Sequence, residues 1–457
     1  MQLAKQIIKC TVVFLFLFFS ATLLFAQENS PYSRYGIGDL YPSQTIAARG
    51  LGGLTAAYSD GRTLNSDNPA SYSDIKTYVN GGMFTFDVGV SIDARTLHNA
   101  SPIAKYNSVN FIPSYIQVGF PLSKHHLGMV AGLKPMSRIN YNIGSTSLGV
   151  DSLHTSYSGS GGLNQAFVGI GKRWGGLSIG VNGGYLFGRK EISTNVILIN
   201  DSIGYHNGTV SSTGNFGGLF ANAGVQLHIK LGEKNDSLSK ITSSYALTIG
   251  ASGTLKQNLN VSSNVLNETY YYNTDGAIIP YDTIKFQRNP TDKAVLPAML
   301  NVGFMITNNQ YPTGFSNLSE NKWGIGAELS AGNWGNDYRY NDQKDQVVNN
   351  WLFRVGGTIT PNIYSAGFFA HTIYRLGFYT GKDYIDADGN GLKTTAVTLG
   401  AGLRIRTQRY SNQSTIINTA VEVGKRGTNV NNVTENFIKI SAGLSLSDLW
   451  FVKRRYD

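Results

Sequence analysis

Beyond residue 77, apolar side chains recur at every second position, with small or polar residues between them. Leu219, Ala221, Ala223, Val225, Leu227, Ile229 and Leu231 alternate with Phe220, Asn222, Gly224, Gln226, His228 and Lys230. Val397, Leu399, Ala401, Leu403 and Ile405 alternate with Thr398, Gly400, Gly402, Arg404 and Arg406. Successive side chains on a strand point to opposite faces, so a period of two marks a ribbon with one apolar and one polar face. About 14 such segments follow one another, over 77–92, 110–121, 126–141, 163–174, 176–196, 214–231, 241–261, 296–308, 322–334, 350–361, 370–380, 394–407, 414–425 and 434–447. Several exceed the roughly 5–6 residues of a soluble strand and reach the roughly 9–11 that a tilted strand needs to cross a bilayer.

The connections alternate in length. Those at 93–109, 142–162, 197–213 and 262–295 are long, and those at 122–125, 174–176 and 408–413 are short. The stretch 309–321 breaks the rule, being long where a short turn is due. Short turns at one end and long loops at the other, with an even strand count, describe an outer-membrane barrel. A secreted sandwich or propeller would carry Lys, Glu and Asp on its polar faces. Here those faces are mainly Gly, Ser, Asn and Thr, which suit a crowded, hydrated interior. The prediction is an all-β chain: a transmembrane antiparallel β-barrel of about 14 strands over 77–447, with an N-terminal hatch or plug.

Composition narrows the picture further. The chain has 457 residues, 53 of them Gly, and only 14% are charged, against about 25% in an ordinary soluble chain. Lys5 and Lys9 precede one apolar run over 11–25 that closes at Ala26. The run is shorter than the roughly 20 residues of a spanning helix and reads as a cleaved signal peptide over 1–26. The sole cysteine, Cys10, would leave with it, so the mature chain has no disulfide or cysteine metal site. Its loss lowers the formal charge from +10 to +8, a surplus too thinly spread for a nucleic-acid partner. Export and barrel together predict the outer membrane, with the lipid bilayer and the outer-membrane assembly machinery as partners.

Residues 27–76 lack sustained alternation but are more apolar than a solvated leader, through Leu40, Ile46, Leu51, Leu54, Ala56, Ala57 and Tyr58. A compact plug inside the barrel explains that composition. Ala48-Arg49-Gly50-Leu51-Gly52-Gly53-Leu54-Thr55-Ala56-Ala57, then Asp60, Thr63 and Asn68-Pro69-Ala70, resemble the N-terminal hatch of FadL-type long-chain fatty-acid transporters. The opening 30–36 and the ending 450–456 are similar to a Bacteroidetes branch of such proteins, although the chain closes on a basic tail over 448–457 and not on a terminal aromatic. The resemblance implies a 14-stranded barrel that takes up hydrophobic molecules and releases them through a gap in its wall.

A wall gap requires a break in strand pairing, and a proline has no N–H to give to a ladder. Pro135 therefore marks a candidate lateral opening, with Asn68, Pro69 and Ala70 as the gate beside it; an ordinary bulge near the rim is the alternative. Lys134, Glu328, Arg354, Arg404 and Arg406, with His228, Lys230 and Glu422, fall on the polar face. They could attract a carboxylate, line an anion-preferring pore, or hold the plug. Asp386, Asp388 and Asn390 follow the first half of a calcium-loop pattern, but position twelve is Val397 and no helices flank it. Enzymatic motifs are missing: the histidines are scattered, without a zinc signature or a nucleophile elbow. The expected function is passive uptake of hydrophobic or amphipathic, fatty-acid-like small molecules. The alternatives are a diffusion pore, or a non-transporting barrel serving as a partner or attachment component of surface protein secretion.

Overall fold

The computed structural model describes residues 30–450 apart from 76, 79–80, 102, 124, 149–151, 200–205, 315–318, 365–366, 388, 406–413, 429–430 and 432. The predicted signal peptide and the tail beyond Trp450 lie outside the described residues, as do Arg406 and Asp388.

Fourteen strands form one antiparallel sheet that closes on itself. They are β1 (Gly81–Ala100), β2 (Ile103–Ser123), β3 (Leu127–Pro135 and Ser137–Ser147), β4 (Leu153–Trp174), β5 (Leu177–Leu198), β6 (Asn207–Asp236) and β7 (Ile241–Thr254 and Gln257–Tyr272). Then come β8 (Ile278–Leu296 and Met299–Pro312), β9 (Glu320–Gly332), β10 (Asn350–Ile359), β11 (Ile373–Ala387), β12 (Asn390–Ile405), β13 (Ser414–Arg426) and β14 (Val433–Trp450). Closure runs from Val433↔Asn99 to Trp450↔Gly82, between β14 and β1. Each predicted segment overlaps one of these strands.

The strands also run through stretches that the sequence assigns to long loops. The connection over 262–295 is largely the outer part of the β7–β8 hairpin, whose turn lies at 273–277. Residues 278–288 are almost all exposed there. Where both faces meet water, the period of two fades while the backbone ladder continues.

On β1, Thr85, Asp87, Gly89, Ser91 and Asp93 face inward and are buried, while Val88, Val90 and Ile92 face outward. The same division gives an outward belt containing Ile170, Val181, Leu227, Leu376, Val423 and Ile440, each about half exposed. So continuous an apolar belt far exceeds what a soluble monomer tolerates, and lipid is its solvent. The turns at 125–126, 175–176 and 237–240 share one end. In outer-membrane barrels the short turns face the periplasm, so the long hairpins face outward from the cell.

Candidate functional site

Residues 30–75 run down the interior, from the external end at Ser30 to the short-turn end at Ile75. They contain a 3-10 turn (Pro31–Arg34), a two-residue strand (Asp39–Leu40), one helical turn (Ile46–Arg49) and a second 3-10 turn (Pro69–Asp74). Thr45 caps the helical turn by accepting from Ala48 N. Gly52 follows at φ +73°, and a Cβ there would lie 2.9 Å from Val355 O of β10. Only glycine allows both that dihedral and that approach.

Buried charges join this segment to the wall. Arg49 Nε meets Glu422 Oε1 of β13 at 2.5 Å. Glu328 of β9 accepts from Thr55 N at 2.6 Å and Ala56 N at 2.7 Å, and from Arg354 of β10 at 2.9 Å. Lys134 of β3 reaches Asp67 Oδ1 at 2.7 Å and Ser66 Oγ at 3.1 Å. Near the short-turn end Glu320 joins Arg62, at 2.8 Å, to Arg404. At the external end Asp39 lies between Arg426 (2.7 Å) and Arg95 (2.9 Å), both of which also face Glu435. Burial by itself would raise the Asp39 carboxyl, but Arg426 and Arg95 hold it down to about 2. Burial likewise works against Asp60, yet the N–H groups of Thr63 and Arg62 keep its carboxyl below the usual range.

The predicted lumen charges thus divide. Lys134, Glu328, Arg354 and Arg404 all join the network around the segment, as does Glu422. His228 bonds Thr248, and Lys230 is an exposed partner of Glu233. Arg49, Arg95, Arg426, Glu435, Asp39 and Asp67 were not singled out by the sequence. Arg49 was the most legible of these, a lone base in a stretch of Gly and Ala. Asp386 pairs with Gly391 across the β11–β12 turn, and no group of three metal-ligating side chains occurs among the described residues.

The wall is interrupted, among the described residues, between β2 and β3. Among the described residues, β2 pairs with β3 only from Ile116↔Leu133 to Ser123↔Leu127, although it follows β1 as far as Ile103. Met136 donates its N–H to Leu163 O on β4, at 2.8 Å. Backbone groups alternate sides along a strand, so position 135 faces β2, where proline offers no donor. Past that point Asp39–Leu40 lies along Arg138 and Ser137 in place of β2. Tyr41 N donates to Met136 O at 2.9 Å and Ser30 N to Asn140 O at 3.2 Å. Asn68-Pro69-Ala70 packs against Gly180 of β5 and Gly224 of β6, whereas Ser66, Asp67 and Tyr41 are the segment's residues that approach Lys134 and Met136.

A cavity of about 330 Å³ lies between the segment and the wall, bounded by Pro135, Lys134, Arg354, Lys382 and Glu422 together with Leu186 and Phe220. Above it, Trp334 of the β9–β10 connection packs on Tyr384 (ring centroids 4.3 Å apart) and Tyr338, in one apolar cluster with Tyr35, Ile37 and Leu296. Tyr384 Oη donates to Gly38 O. That cluster joins the segment to the external end of the wall.

A sequence model of the BamG family matches residues 7–457. The chain belongs to the BamG family. No curated protein matches it in sequence. Among solved structures, this BamG-family barrel is similar to the Pseudomonas putida toluene transporter TodX (TM-score 0.54, 14% identity, 89% of this chain and 98% of that one). It is also similar to the CymD monoaromatic hydrocarbon channel (0.52, 12%, 91% and 99%) and to a Pseudomonas aeruginosa FadL homologue (0.50, 12%, 90% and 98%). These neighbours, named as a toluene transporter, a monoaromatic hydrocarbon channel and a FadL homologue, share this chain's barrel fold. Fold and family together place the BamG-family chain in the outer membrane.

Proposed function

We propose that this barrel is a sealed, membrane-embedded partner in the outer-membrane protein-assembly machinery. It works by what it holds in place, with no flow through its lumen. The buried charge network on residues 30–75 carries the reading. Arg49–Glu422, Glu328–Arg354 and Lys134–Asp67 tie the segment to separate parts of the wall. Removing one partner of a buried pair costs about 3–5 kcal/mol, and the sequence has no energy-coupling motif to supply it. The segment is then a fixed plug. BamG is a family related to the assembly machinery, which supports the same role. Two measurements test it: planar-bilayer conductance of the purified chain, and affinity purification from native outer membranes. A closed bilayer trace and co-purification with the machinery's central barrel are expected. A steady open current, or a chain that purifies alone, defeats the reading.

The interrupted wall favours a second reading, passive uptake of hydrophobic or amphipathic, fatty-acid-like molecules with sideways release beside Pro135. The cavity reaches Pro135, and its Arg and Lys side chains suit a carboxylate head. The likeness to channels for toluene and monoaromatic hydrocarbons supports it. Uptake of a labelled fatty acid by liposomes bearing the chain, slowed by Pro135→Val, is the expected result; uptake equal to empty liposomes removes it.

A further inference from the structure

The loop between β10 and β11 turns the chain at the short-turn end, where Thr360 N donates to Lys322 O of β9 at 2.8 Å. Its described part is tightly bonded. Asn362 N donates to Ala370 O at 2.7 Å, Thr372 Oγ1 to Phe368 O at 2.8 Å, and Lys322 Nζ to Pro361 O. Ile363 is buried, so the loop has an inner side. Phe368 and Phe369 are turned away from it, edge to face with ring centroids 5.4 Å apart, and they expose 47% and 75% of their surface.

Tyr374 shows which way the two rings lean. Its side chain is outward with those of Leu376 and Phe378, directly across from outward Ile359, and its Oη donates to Phe369 O at 3.2 Å. Phe369 is thus tied to the outer surface of the wall and does not cover the mouth of the lumen. The pair extends the apolar belt past the last rung of the β10–β11 ladder, Ile359↔Tyr374.

The composition of the loop fits that position. From Thr360 to Thr372 there is no Asp, Glu, Lys or Arg, where an ordinary soluble stretch of that length has about three. The turn at 237–240, at the same end of the barrel, is the opposite case. Leu238 is 97% exposed there, but Glu233, Lys234, Asp236 and Lys240 flank it in sequence. A loop in water keeps its charges, whereas one at the edge of hydrocarbon sheds them, because a charge there loses its hydration. Exposed rings belong at that boundary, where membrane proteins concentrate their aromatic side chains.

We propose that Phe368 and Phe369 form a foot that inserts into the phospholipid leaflet on the periplasmic side and fixes the depth of β10 and β11. The occupant is lipid because the rings continue a belt that lipid already solvates, and because the loop itself offers no charge for a protein partner to pair. Lys322, at the base of the loop, brings a positive charge that suits lipid phosphates.

The test uses the full chain with Cys10→Ser, which leaves no other thiol, folded into phosphatidylethanolamine–phosphatidylglycerol vesicles. An environment-sensitive fluorophore is attached at Phe369→Cys and, as control, at Leu238→Cys. Heat-dependent gel mobility reports folding, and Phe368→Cys repeats the measurement should Phe369→Cys fail to fold. The label at 369 should emit at shorter wavelength than the label at 238, lose its quenching by aqueous iodide, and be quenched by lipids that carry a nitroxide near the headgroup. Both positions lie at one end of the barrel, so mixed orientation in the vesicles affects them equally. Iodide quenching at 369 equal to that at 238 overturns the proposal. So does a label that iodide reaches in vesicles but not in native outer membranes, since its cover is then a protein. Neither conductance nor uptake enters the measurement, so the lipid contact stands or falls apart from both functional readings above.

Discussion

Two stretches of the interior segment meet the wall in different ways. Residues 45–58 face laddered strands and are held by side chains: Arg49 on Glu422, Thr55 and Ala56 on Glu328. Residues 30–41 face the interrupted wall and are held in large part by backbone, through Asp39–Leu40 on β3, Tyr41 N on Met136 O and Ser30 N on Asn140 O. A completed ladder has no backbone groups to spare, so attachment to it must come from inward side chains. A broken ladder offers its own N–H and C=O groups, and the segment behaves there as a substitute strand.

Disabling the side-chain attachment should have the largest effect. Glu328→Ala strands Arg354 and two buried amides, with an expected loss of about 3–5 kcal/mol in the docking of residues 45–58. Hydrogen exchange of the Thr55 and Ala56 amides reads it, and unchanged protection would show that the charges are incidental. Arg49→Ala leaves Glu422 buried near Tyr379 and should cost about 3 kcal/mol by the same measurement. The backbone-held stretch should respond to acid instead. Asp39 titrates at about 2 against an ordinary 3.8. Its contribution is therefore complete above the ordinary value and disappears as pH falls towards 2. Protection at Gly38 and Tyr41 should fall across that window in the native chain and be insensitive to it in Asp39→Asn. Pro135→Val restores a donor facing β2 and should stabilise the wall by about 1 kcal/mol, visible as slower exchange around residues 111–116. A chelator should move the thermal midpoint by less than about 1 °C, because Asp386 is in a ladder with Gly391; a larger drop would revive the calcium loop.

Much of this was legible in the sequence. All fourteen strands follow from the alternation, since a lipid-facing belt over a polar lumen writes a period of two into every crossing. The interior character of Lys134, Glu328 and Arg354 follows from the same parity. Strand ends did not follow, because alternation has no cause above the bilayer. Arg95 and Arg426 were missed for that reason: each continues the inward phase of its strand just beyond the last alternating residue read. Pro135 pointed to the broken ladder, yet its neighbour there is Tyr41 and not Asn68. No local pattern announces that two residues, Asp39 and Leu40, will pair with a strand about a hundred positions away.

The depth at which residues 30–75 sit has a consequence for biogenesis. Buried groups as large as Arg49 and Tyr72, fastened from one rim to the other, cannot be threaded into a finished cylinder. The last seam to zip, Val433–Trp450 against Gly82–Asn99, must therefore close around a segment already in position, so the earliest part of the described chain serves as the mandrel on which the rest is wound.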